Sequence, residues 1–141
     1  MAPVKDLIKN SIKDLSLYIN TTSHEEIIIA LRSGARVIIE KKIIAPRRQA
    51  EKLVPAIDNL LKAQKVKLAE LKKIVVANYG GSFTALRIGV ITANALAYAL
   101  RIPVEAEPST KIKNKKFGRY SLVEPEYDRE PIIGISKKSN L

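Results

Sequence analysis

The segment from Ile74 to Leu100 constrains the fold most. Ile74-Val75-Val76-Ala77 is a continuous apolar run of strand length, the pattern of a strand buried on both faces. It ends at Asn78-Tyr79-Gly80-Gly81-Ser82. A helix is then expected from about Phe83 to Leu100, with Leu86, Ile88, Val90, Ile91, Ala93, Ala95, Leu96, Ala97 and Ala99 apolar nearly all round it. A helix with so little polar surface must be covered on more than one side. Ile102-Pro103-Val104-Glu105-Ala106 reads as a fifth, short strand, with Pro103 marking an edge or the strand's first residue. Two strands joined by one helix should lie parallel, with a right-handed crossover.

Upstream, the period changes twice. Val4, Leu7, Ile8 and Ile12 follow a helical stripe and suggest a short leading helix. Leu15, Leu17 and Ile19 alternate with Ser16, Tyr18 and Asn20, which argues a strand. Glu26 to Leu31 and Val37 to Ile44 are β-branched runs on either side of a Ser33-Gly34 turn. Connections this short join antiparallel neighbours, so the first three strands read as a meander. From Pro46 the spacing becomes helical: Ala50, Leu53, Val54, Ile57, Leu60, Leu61 and Gln64 fall on one face. Pro55 lies inside that stretch and must be absorbed as a kink. Leu68 and Leu71 form a short further turn. The order is β-β-β-α-β-α-β, an α/β fold with one mixed sheet and helices packed on it. Three sections are expected: a leading helix or extension over 1–14, the lobe over 15–108, and a basic linker and tail over 109–141. Tyr120–Val123 and Pro131–Ile133 are expected to lie on the body as extended segments.

The chain has 141 residues, enough for one domain with a real core. No apolar run is long enough to span a bilayer, and the first residues lack the apolar centre of a secretory signal. There is no cysteine, which excludes disulfides, thiol nucleophiles and thiolate zinc sites and suggests the cytoplasm. The formal net charge is +11. It is spread out, with 17 basic against 10 acidic residues over 1–110 and 8 against 4 over 111–141. Such a surface attracts phosphate polyanions, or serves only solubility. Five Tyr and two Phe leave little with which to stack bases.

Few residues suggest chemistry. A strand feeding Gly80, Gly81 and Ser82 into a helix start is an anion-binding arrangement; the same residues also make a tight connection capped by Ser82. No Gly-Lys-Ser/Thr follows, so it is not a Walker loop. Thr84 and Arg87 share a face of the helix, and Arg87 is either ion-paired or offered to a partner. His24, the one histidine, lies in a polar turn beside Glu25 and Glu26 and lacks companions for a metal site. Asn20 ends the first strand without the charge that phosphate or metal chemistry would use. No catalytic set is evident.

The run KIVVANYGGSFTALRIGVITANALAYALRIP, from Lys73 to Pro103, resembles the TsaB (YeaZ-like) family. Its pattern is a buried strand followed by G-P-G-S-F-T-G-x-R-I-G and a small-residue helix. Gly81-Ser82-Phe83-Thr84 and Arg87-Ile88-Gly89 match it. LYINTTSHEEIIIAL resembles the family's opening strands, and QAEKLVPAIDNLL its first helix, proline included. The sequence departs at Asn20, where the family has aspartate, at Tyr79-Gly80 for glycine-proline, at Ala85 for glycine and at Gln49 for histidine. Each departure weakens a case for nucleotide or metal chemistry in this chain.

The resemblance implies a single actin-like, ribonuclease-H-like half of the ASKHA fold, with the second lobe missing and the closing residues near 125–131 kept. It also implies a non-catalytic partner subunit in making threonylcarbamoyladenosine in transfer RNA, pairing with the transferase subunit TsaD through its two helices. Leu53, Ile57, Thr84, Arg87, Ile88 and Ile91 are the implied contacts. ATP and metal would sit on partner subunits, with no cofactor here. A TsaE-like ATPase, tRNA reached through the complex, and a homodimer are further implied partners, and no membrane is. The competing readings are an ATP-binding or protease-like enzyme of the same fold group, and a free-standing basic tRNA-binding module.

Overall fold

A computed structural model describes residues 14–80, 83–107, 115–117 and 120–126. The expected leading helix lies outside them except for Asp14. The chain runs β1 (Leu15–Asn20), β2 (Glu26–Ser33), β3 (Arg36–Ile44), α1 (Gln49–Ala63), a 3-10 turn (Leu68–Glu70), β4 (Lys73–Ala77), α2 (Phe83–Leu100) and β5 (Val104–Glu107). A small hairpin follows, β6 (Lys115–Phe117) with β7 (Tyr120–Leu122). The main sheet has the order β3-β2-β1-β4-β5. β1, β2 and β3 are antiparallel neighbours, and β4 is parallel to both β1 and β5. This is the mixed β-β-β-α-β-α-β sheet that the periodicities predict.

Alternation puts Leu17, Ile19, Ile29, Leu31, Ile74, Val76, Val104 and Ala106 on one face in register. Leu53, Ile57, Leu60 and Leu61 of α1 and Leu86, Val90, Ala93 and Ala97 of α2 join them in one buried cluster. Both helices therefore cover the same face. Each fully buried Leu or Ile stabilises the fold by about 1.5–3 kcal/mol, so this layer dominates the energetics.

Two boundaries and one helix face differ from expectation. α1 begins at Gln49 rather than Pro46, because the chain first turns through Arg47 at φ 55°. There Ala45 and Arg47 donate backbone bonds to Glu25 and His24, and the Gln49 side chain donates to Ser23 O at 2.9 Å. The loop after β1 thus sets where the helix starts. Ala50 and Val54 are exposed rather than in the apolar stripe. β5 begins after Pro103, whose carbonyl accepts the Ile74 N–H at 3.0 Å.

Both helices end alike. Lys65 (φ 57°) and Arg101 (φ 60°) take the left-handed turn that usually falls to glycine. The next amides, of Val66 and Ile102, reach back to Leu61 O and Ala97 O. Burial of Val66 and this bond satisfy the helix end and offset the steric cost of a side chain at positive φ.

Candidate functional site

Two regions bear on function: the strand ends where β1 and β4 meet α2, and the outer surface of the helices. At the first, Asn20 Oδ1 accepts from the backbone N–H of Thr22 at 2.9 Å and from its hydroxyl at 2.8 Å, an Asx turn. Its amide nitrogen donates to the Tyr18 hydroxyl at 3.0 Å. The residue that stands where the family resemblance expects an acid is thus committed to shaping its own turn.

Thr21 is 1% exposed and enters the body of α2. Gly89 N–H donates to Thr21 Oγ1 at 3.0 Å, and the hydroxyl donates to Ala85 O at 2.5 Å. A Cβ on Gly89 would lie 2.5 Å from that oxygen, so only glycine permits this approach. The Arg87-Ile88-Gly89 match therefore contains a packing requirement that sequence reasoning did not explain. Thr21 itself escaped notice. Its signal is slight, a polar residue ending an apolar strand.

The glycine turn is described only in part. Gly80 has φ 85°, a left-handed turn suited to glycine; Gly81 and Ser82 lie outside the described residues. The Gly80 N–H donates to Glu126 O at 3.3 Å, so the first amide of the expected anion turn is already engaged by the chain itself. Beside it Asn78 is fully buried, donates to Glu124 O at 2.9 Å, and leaves its Oδ1 without a partner. His24 is exposed and touches Glu25 at 3.2 Å. Among the described residues no group of three His, Asp or Glu side chains comes together as a metal site.

On the sheet face away from the helices, Arg32 of β2 reaches Glu107 of β5 by two bonds of 3.1 Å. Its guanidinium lies 4.0 Å from the Tyr18 ring centre. Tyr18 has its pKa raised, chiefly because burial penalises the phenolate. The Asn20 bond lowers it, the Glu107 charge raises it, Arg32 opposes that, and Glu40 adds a little.

The helix surface separates the expected contacts. Thr84, Arg87, Ile91, Ala95 and Tyr98 are exposed along one side of α2; Ile91 and Tyr98 are each 60% exposed. Ile88 is only partly exposed and packs against the core. Leu53 and Ile57, expected at a partner surface, are 0% and 4% exposed. They are core residues, because residues three or four apart on successive turns of α1 face the sheet. Between the helices an apolar groove of about 400 Å³ is lined by Val54, Pro55, Ile57, Leu61, Leu68 and Leu96, with Asp58 its one charged member. Val54 and Leu68 are exposed there. No helix among the described residues is long and apolar enough to cross a membrane.

The fold defines a class: a half-domain of the actin-like, ribonuclease-H-like α/β kind, with both helices on one face of a mixed five-stranded sheet. Among solved structures it is similar to YeaZ from Pseudomonas aeruginosa, with TM-score 0.61 and 30% identity over 67% of this chain and 43% of that one. A second YeaZ-like structure from Pseudomonas aeruginosa, titled as similar to a peptidase, superimposes equally well. The tRNA threonylcarbamoyladenosine biosynthesis protein TsaB of Bacillus subtilis (strain 168) is 35% identical over 109 residues, 76% of this chain and 47% of that protein. The tRNA N6-adenosine threonylcarbamoyltransferase of Protochlamydia amoebophila (strain UWE25) is 45% identical over 60 residues, 43% of this chain and 18% of that one. Residues 36–111 match the family model described as TsaD: tRNA N6-adenosine threonylcarbamoyltransferase. The chain belongs to this family and is TsaB/YeaZ-like within it. It spans about half the length of the TsaB relative, at 47%.

Proposed function

We propose that this chain acts in the cytoplasm as an accessory subunit in making N6-threonylcarbamoyladenosine in tRNA. It pairs with a TsaD-like transferase subunit and performs no chemistry itself. The observation that carries this is the exposed side of α2 along Ile91, Ala95 and Tyr98, together with the apolar groove between the helices. Large uncovered apolar surface marks an interface, and aromatic and aliphatic anchors at its centre dominate affinity. The relatives' names supply the partner's identity. The non-catalytic role is supported by Asn20, whose amide is spent on the Thr22 turn, and by Gly80, whose N–H is spent on Glu126. ATP, metal and any TsaE-like ATPase belong to the rest of the assembly, and tRNA is reached through it.

The test is co-purification with a TsaD-like protein. Ile91→Asp places a charge on the exposed stripe and touches no core residue. It should reduce the retained partner by roughly tenfold or more while the melting temperature of the isolated chain stays unchanged. Undiminished pairing by a folded Ile91→Asp chain would refute the helix interface. Micromolar ATP binding by the isolated chain, measured calorimetrically, would restore the enzyme reading.

A further inference from the structure

Residues 123–126 run from Asn94 in α2 to the end of β4, held by bonds to their main chain. Asn94 of α2 donates from Nδ2 to Val123 O at 2.9 Å and accepts the Val123 N–H on Oδ1 at 2.9 Å. One side-chain amide thus satisfies both backbone groups of one residue. Asn78 Nδ2 donates to Glu124 O at 2.9 Å. The Glu126 N–H donates to Asn78 O at 2.6 Å, and the Gly80 N–H donates to Glu126 O, which makes Tyr79 and Glu126 a parallel bridge. Val123, 2% exposed, inserts its side chain into the core cluster.

This is the chemistry of an added strand: main-chain bonds supply affinity, and one aliphatic anchor supplies register. The receiving groups are preset. Asn78 closes β4 and is fully buried. Asn94 sits within a mostly apolar helix, where asparagine is a poor helix former; the amide's bonds to Val123 compensate for that choice.

We propose that Asn78, Asn94 and the Tyr79–Gly80 edge form a capture slot for an extended segment with an aliphatic anchor, filled here by Val123–Glu126 of the same chain. The same segment of a second copy fits it identically. None of these bonds involves the stretch between Glu107 and Val123 that joins the segment to β5, so an exchanged segment would make the same contacts. A short connection gives the chain's own segment an effective concentration in the millimolar range, so self-occupancy prevails in dilute protein. Exchange emerges once the connection is cut.

The experiment places a protease site within residues 108–114 of the full chain and cuts it. The 115–141 piece should remain bound through size-exclusion chromatography and exchange with a labelled synthetic 115–141 peptide. Asn94→Leu should speed its dissociation by roughly tenfold or more, through loss of two hydrogen bonds. Three results would overturn the proposal: prompt release of the piece while the circular dichroism of the rest is kept, loss of that spectrum on cutting alone, or a dissociation rate indifferent to Asn94→Leu.

Discussion

Under the helices, the sheet presents Leu17, Ile19, Ile29, Leu31, Ile74 and Val76, all fully buried. On the opposite face, the same strands present Ser16, Tyr18, Ala30, Arg32, Val75 and Glu107. There small buried residues lie among a long polar strut, Arg32 to Glu107, that spans β2 to β5 and stacks on Tyr18. The first face is held by apolar area, which needs no particular geometry beyond packing. The second depends on direction and charge, and it leaves Arg32 Nε buried without a partner. The difference teaches where this fold can absorb change: the polar face can lose a contact, while the helix face cannot lose volume.

Substitutions should rank the faces in that order. Leu53→Ala, on the helix side, should cost about 2–5 kcal/mol of unfolding free energy in chemical denaturation. Next, Gly89→Ala should cost about 1–3 kcal/mol by forcing a methyl onto Thr21. In a double-mutant cycle with Thr21→Ala the two should cost less than their sum, because the clash is shared. Additive effects would separate α2 from the β1 end. Glu107→Gln, on the polar face, should cost only about 1 kcal/mol, since its carboxylate is half exposed. A loss as large as that of Leu53→Ala would erase the distinction between the faces.

The smallest effect is a pH dependence. The raised pKa of Tyr18 means the folded chain keeps this phenol proton after the unfolded chain begins to lose it near pH 10. Stability is then unaffected below about pH 10 and falls as pH rises through the folded-state value. Tyr18→Phe should flatten that alkaline decline in denaturant titrations, and a tyrosine ionising above pH 10 should vanish from an ultraviolet titration.

Much of the fold was legible in residue spacing. Period-two alternation in Leu15–Asn20 and the unbroken run Ile74–Ala77 identify two strands, but the alternation does not reveal that β1 lies at the centre of the sheet, between β2 and β4, with Ser16 buried as well as Leu17. The α1 start was not legible. It depends on His24, Glu25 and Ser23 binding a loop more than twenty residues later. Of the expected contacts, Thr84, Arg87 and Ile91 lie on the outer surface, whereas Leu53 and Ile57 face the sheet. Apolar spacing marks a helix's greasy side without telling core from interface, since both bury the same kind of atoms. Asn94 drew no notice in the sequence, since its partner Val123 lies 29 residues away.

From the residues alone, then, came the elements, their order and the demand that α2 be covered on several sides, since local periodicity and solvation act over a few turns of chain. Tertiary structure decided which glycine is obligatory, which apolar side chains remain for a partner, and that Gly80 is met by Glu126. Those outcomes rest on contacts such as that of Thr21 with Gly89, 68 positions apart, and that of Gly80 with Glu126, and no pattern within a single element encodes such a distance.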